Sequence, residues 1–130
     1  MMNHDETWSN VFLYWGKDNH VSGSIHNATG YEEDYVKQQF QKMKTAYADK
    51  GIPVIVGEYS AMKRAKEDKI EGTSELAYPD IDQEMHNKSR SYWNEVVTRE
   101  AKNHGCVPFY WEAYAIEGIM KGAAAGQYPY

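Results

Sequence analysis

A parallel α/β fold is what this sequence predicts, and three observations carry it. Two segments with helical spacing, 31–50 and 83–104, are each followed by a short apolar run, 52–58 and 106–111. Both runs are continuous rather than alternating, the mark of strands covered on both faces as in parallel sheets. The order helix, strand, helix, strand, with a last helix over 113–125, is the grammar of βα units with helical crossovers. The 130 residues fit one domain, and neither a linker nor an internal repeat divides them.

The opening stretch, 1–29, has no sustained period. It is rich in Asn, Ser, Gly and His around Trp8, Tyr14 and Trp15, and reads as an aromatic loop with a short strand near 11–15. Loops of this length are usually functional or disordered, and the aromatic residues favour function. In the helix 31–50, Val36, Phe40, Met43 and Tyr47 draw one apolar stripe. Glu32, Glu33 and Asp34 sit in its first turn, where the helix dipole favours acids, and Gly51 follows as a cap. The strand 52–58 tolerates Pro53 near its start, where no ladder donor is needed.

Residues 63–82 are polar and mixed in charge and read as a long loop. The helix 83–104 turns Met85, Tyr92, Val96 and Val97 to one side, with Gly105 as its cap. The run "CVPFYW" over 106–111 is aromatic and β-prone. The last helix has Tyr114, Ile119, Met120 and Ala123 as its apolar face, and Gly118 and Gly122 serve helix packing.

Composition excludes several function classes. A net charge of −5 argues against nucleic acid as the main partner, because phosphate binding needs a basic face. No apolar run reaches the roughly 18–20 residues of a membrane helix, so no membrane partner is expected. The start "MMNHDETWSN" shows no signal peptide. Cys106 is the one cysteine and heads an apolar run, which suits a buried inert thiol. His4, His20, His26, His86 and His104 lack metal-ligand spacing, so no metal site is expected. Asn27-Ala28-Thr29 matches an N-glycosylation acceptor, but nothing else points to a eukaryotic secretory pathway. The 14% aromatic share, with 11 Tyr and 4 Trp, fits core filling or a surface that stacks on ring-shaped ligands such as sugars.

One residue stands apart. "GIPVIVGEYSA" places Glu58 where the most hydrophobic run ends. Sites in parallel α/β folds form at the C-terminal ends of strands. Alternation along the strand puts Glu58 on one face with Val56 and Val54, Trp111 with Phe109, and Tyr110 with Glu112. A carboxylate and a tryptophan can then converge at one rim.

"GIPVIVGEYSA", followed by "AKNHGCVPFYWE", resembles the last two βα units of family-five glycoside hydrolases, in particular their endoglucanases (cellulases). The resemblance spans nearly the whole chain. It implies the last part of a (β/α)8 barrel: strands 7 and 8 with flanking helices, within one partial-barrel domain, 1–130. It implies retaining cleavage of β-1,4-glucans without a cofactor. Glu58 then corresponds to the nucleophile, and Trp111 to the tryptophan beneath the sugar. Trp15 and Tyr59 join it as substrate contacts, and the "VFLYWGKDNH" loop resembles the aromatic loop after the sixth strand. The family is secreted or displayed at the cell surface.

The departures matter equally. A complete barrel takes about 250 residues. The family's Asn-Glu-Pro motif with its acid/base is missing, as are the Arg, His and Asn of earlier strands, and the loop after Trp111 is short. Parity turns Glu112 away, and Glu67, Asp68, Glu71 and Glu75 read as a solvated charge run. The expectation is therefore a chain incomplete as a catalyst. Its partners would be a β-glucan and either an N-terminal barrel portion or a second copy. The alternatives are a non-catalytic carbohydrate-binding piece of the same fold, or a plain α/β domain where Glu58 merely ends a strand.

Overall fold

The computed structural model describes residues 11–111. Trp8, Glu112 and the predicted helix 113–125 with Gly118 and Gly122 lie outside the described residues.

Two helices and two strands form the frame: α1 (Glu33–Ala46), β1 (Val54–Tyr59), α2 (Gln83–Asn103) and β2 (Cys106–Tyr110). The strands pair in parallel, with Val54 beside Cys106, Ile55 beside Val107 and Val56 beside Pro108. The α2 helix provides the crossover between them.

α1 is shorter than the stripe suggested. Tyr31 lies at φ 59 and Glu32 is extended, so the helix begins at Glu33. The acids that favour a first turn are here bound to the opening loop: Glu32 accepts from the backbone N–H of Gly16 and Glu33 from that of Lys17. The far end tightens into a 3-10 turn, Ala48–Lys50, and Gly51 reverses the chain at φ 76. The two residues 52–53 therefore lead into β1 rather than belonging to it.

The opening stretch contains no strand at 11–15. Leu13 N and Tyr14 N both donate to His26 O, and Ala28 N donates to Tyr14 O, so this segment pairs with its own loop. Asn27 fixes the loop by accepting from Val21 N and donating to Val21 O. The polar side chains that suggested a loop supply the bonds that a sheet would otherwise supply.

The stretch 63–82 is more ordered than its composition implied. Ile70 N donates to Glu75 O and Ala77 N to Asp68 O, closing a small antiparallel hairpin around a Lys69–Leu76 bridge. It delivers Tyr78 to the interior, where Tyr78, Leu13 and Tyr14 form the core with Val11, Val21, Ala77, Ile81 and Met85 around them. Loops thus build this core. α2 starts on Asp82, whose carboxylate accepts from Met85 N at 2.9 Å. A second buried layer joins α2 to the sheet through Val96, Val97, Ala101 and Cys106. Burial pushes the Cys106 thiol up, as suits an inert group.

Coverage of both strand faces is overturned for the described residues. Ile55 is 63% exposed, and Val107 and Phe109 beside it are also open. The helices cover one face only, because α1 and α2 both lie on the side of Val54, Val56 and Cys106.

His86, buried on α2, joins three segments. Its Nδ1–H donates to Leu13 O at 2.8 Å, and its Nε2 accepts from Arg64 N at 2.9 Å. That pair of bonds requires the neutral imidazole. Burial, followed by the nearby Arg90 and Arg64, pushes its pKa below the ordinary value, against the raising effect of the Leu13 bond and Asp68. Below about pH 6.5 the unfolded chain takes up a proton here that the folded chain resists, so stability falls on acidification. We expect His86→Ala to cost about 2–4 kcal/mol at pH 7.5, since two backbone groups lose their partner. Urea unfolding from pH 8 to 5 checks both points. The gap between parent and variant narrows as pH falls; a constant gap refutes the role of the neutral ring.

Candidate functional site

Register breaks at the end of β1. Val56 pairs with Pro108 and Tyr59 with Tyr110, so Gly57 and Glu58 together oppose Phe109. One extra residue in one strand is a bulge, and it resets the alternation. Val56 and Tyr59 both face the helices, which moves Glu58 to the open face. The sequence parity that grouped Glu58 with Val56 and Val54 is thereby corrected.

Trp111 comes to the same rim. Its backbone N–H donates to Tyr59 O at 3.2 Å, so it continues alongside the end of β1. Alternation puts it on the open side with Phe109, and its side chain is exposed. Glu58 and Trp111 thus meet at one strand end and one face. Among the described residues no side-chain hydrogen bond or ion pair engages Glu58, which leaves its carboxylate open to solvent.

Tyr59 goes the other way. Thr98 Oγ1 spends its proton on Asn94 O and accepts from the Tyr59 hydroxyl at 2.5 Å. The Tyr59 ring lies 6.2 Å from that of Trp93 and 5.7 Å from that of Tyr110. Tyr59 therefore clamps the end of β1 to α2 and does not share the open face with Glu58.

Trp15 is held on α2 by a separate set of bonds. Its N–H donates to Ser89 Oγ, and its carbonyl accepts from Ser89 Oγ and Asn19 Nδ2. The indole N–H donates to Tyr31 O at 3.0 Å, and the ring leans on Tyr92, 5.8 Å between centroids. Gly16 makes this approach possible at φ 97, with the Tyr92 ring directly against it. Burial, then Glu33, raises the pKa of the Tyr92 hydroxyl.

A cavity of about 350 Å³ lies between this loop and the segment just beyond Glu58. Trp15 and Phe12 form one wall, Met62 and Arg64 another, and Trp93 and Arg90 on α2 the floor. Arg90 also supports the segment by donating to Ala61 O. Neither Glu58 nor Trp111 lines it. Ser89, Arg90 and Trp93 carry no motif in the sequence; the signal that marks them is a helical face shared with His86, at three- and four-residue spacing.

Among the described residues no hydrogen bond links a side chain of 63–82 to Glu58. Asp68 accepts from Ala65 N just ahead of its own hairpin, and Glu67, Glu71 and Glu75 are exposed. Among the described residues no group of three or more His, Cys, Asp and Glu could hold a metal ion.

No family model matches the chain. Endoglucanase A of Paenibacillus barcinonensis is 27% identical over 98 residues, which cover 75% of this chain and 20% of that protein. The solved structure of XEG5B, a GH5 xyloglucan-specific β-1,4-glucanase from a ruminal metagenomic library, is 39% identical with a TM-score of 0.66. It covers 85% of this chain and 25% of its own. A GH5-4 broad-specificity endoglucanase from Bacteroides salanitronis is 32% identical with a TM-score of 0.57, over 79% of this chain and 22% of its own. The chain therefore spans a quarter or less of the length of these proteins. In sequence and in fold it is similar to part of a family-five glycoside hydrolase, and its parallel strands and helices form a partial α/β unit of that barrel.

The Trp15 mounting gives a direct test. A Cβ on Gly16 would lie 2.7 Å from Tyr92 Cδ1 and 2.9 Å from Asn19 Nδ2. We expect Gly16→Ala to destabilise the chain by about 1–3 kcal/mol and to change tryptophan emission, read by thermal melts followed at the indole. An unchanged melt and spectrum would show that the Trp15 seat tolerates displacement.

Proposed function

We propose that this chain supplies the last two βα units of a retaining β-1,4-glucan hydrolase, with Glu58 as nucleophile and Trp111 as the sugar platform. One observation carries the reading: the bulge brings Glu58 onto the same rim and face as Trp111. The likeness to family-five endoglucanases and xyloglucanases supports the same reaction class.

The chemistry follows from the two side chains. A pyranose laid on the indole presents its anomeric carbon to the neighbouring carboxylate. The Glu58 carboxylate attacks that carbon as the bond to the leaving oxygen breaks, forming a glycosyl ester; water then releases the sugar with retention. The step needs a second carboxyl group about 5–5.5 Å away to protonate the leaving oxygen and later to activate water.

That second group has no candidate on the rim among the described residues, so the acid would come from a partner that completes the barrel. The open face of Ile55, Val107 and Phe109 gives such a partner an apolar surface to cover, whether an N-terminal barrel portion or another copy. Trp15 lines a cavity beside the segment that follows Glu58, and in this reading it contacts the same glucan further along. Tyr59 positions the strand end. With a polymeric glucan as substrate, the protein would work outside the cell or at its surface. The same open face and single carboxylate favour a second reading, in which the chain binds glucan without cleaving it.

Two measurements separate these readings. We expect cello-oligosaccharides and xyloglucan oligosaccharides to change the tryptophan fluorescence saturably. Trp111→Ala should weaken binding by about tenfold, or ~1.4 kcal/mol. We also expect no hydrolysis of carboxymethylcellulose or xyloglucan by the 130-residue chain alone. A fluoroglycoside that labels Glu58 would favour the catalytic reading. Turnover by the isolated chain that Glu58→Gln abolishes would disprove its incompleteness, and an absence of any glucan binding would defeat both readings.

A further inference from the structure

Tyr31 is the one non-glycine residue at positive φ among the described residues, at 59°. That region disfavours a bulky side chain, and glycine or asparagine would occupy it at less cost. Strain of this kind persists only where the surroundings over-determine it. They do so here: Tyr31 O accepts from the Trp15 indole at 3.0 Å, and the next residue, Glu32, is tied through its carboxylate to Gly16 N and His20.

The consequence is an aromatic corner on the surface. The Tyr31 ring is 68% exposed, and its centroid lies 4.7 Å from that of Tyr35 with the planes at 82°. Tyr35 is itself 42% exposed, on the first turns of α1. Neither tyrosine lines the cavity beside Trp15. The two rings stand nearly perpendicular, both open to solvent, on a backbone corner set by Tyr31. A pyranose has a matching form, with C–H groups on its face and hydroxyls on its rim. Other flat ligands fit less well. Glu32, Glu33 and Asp34 are consecutive beside the corner; Lys17 offsets Asp34, and what remains is still net acidic and disfavours the phosphates of a nucleotide or nucleic acid. A neutral sugar polymer meets no such penalty.

We propose that Tyr31 and Tyr35 form a second glucan contact, apart from the Glu58 and Trp111 rim, which holds a neutral pyranose of a β-glucan chain. The inference rests on the glucan reading above and extends it to a site that the catalytic residues do not define. The hydrogen bond from the Trp15 indole to Tyr31 O makes the corner continuous with the Trp15 loop.

Affinity electrophoresis of the 130-residue chain in gels containing xyloglucan or hydroxyethylcellulose tests it. Tyr31→Gly is the informative variant, because glycine accepts the backbone angle while the ring is lost. Its thermal midpoint should be unchanged or higher, and its retardation should fall roughly fivefold. Tyr35→Ala should lose retardation similarly, and Trp111→Ala reports the rim independently. Retardation of Tyr31→Gly and Tyr35→Ala equal to the parent, alongside loss in Trp111→Ala, overturns the corner and leaves the rim standing. The converse pattern upholds the corner and removes Trp111 from the contact. A parent that is not retarded in either polymer overturns both.

Discussion

The neutral ring of His86 is the interaction on which the other contacts depend. Both groups that it satisfies are backbone atoms in irregular segments, Leu13 O and Arg64 N, and neither has a sheet partner. A buried backbone group without a partner is costly, so the ring closes two such deficits at once. It also sets the spacing between the opening loop, the segment beyond β1 and α2. The core of Leu13, Tyr14 and Tyr78 sits where these parts meet. The Tyr14 hydroxyl adds a further tie by accepting from Asp82 N at the start of α2.

From that point α2 works as a mounting rail. Ser89, one turn along, carries the main chain of Trp15. Trp93 floors the cavity and meets the Tyr59 ring, and Thr98 takes the Tyr59 hydroxyl. Val96 and Val97 bury the underside against the sheet. One helical face therefore fixes the aromatic loop at one end and the end of β1 at the other. The geometry of Glu58 depends on this: Tyr59 is pinned to the helix, and the bulge makes room for Glu58 to face the open side.

The open sheet face and the exposed aromatic corner are different kinds of surface. Ile55, Val107 and Phe109 form an exposed apolar strip on one face of the two strands among the described residues. Tyr31 and Tyr35 have phenol groups, stand nearly at right angles and are both exposed, beside a residue at positive φ.

Much of the fold was legible because its signals are local. Helical stripes, left-handed caps and β-prone runs depend on neighbours in the chain, and they placed α1, α2, β1 and β2 in order. The meeting of Glu58 and Trp111 at a strand end was legible for the same reason, through the position of each at the end of its run. Three features were settled only by tertiary contact. The bulge at Gly57 and Glu58 reverses the face of the carboxylate, because Tyr59 has a partner on α2 and its neighbours must adjust. The first turn of α1 is displaced because Glu32 and Glu33 are drawn to a loop that is distant in sequence. The core lies among loops because one histidine can satisfy backbone from two of them at once. Sequence alone determined the order of the two helices and two strands and put a carboxylate near the end of the first strand. The tertiary structure decided which way that carboxylate faces, since a pleat's direction follows the partner that holds it and not the order of residues along the strand.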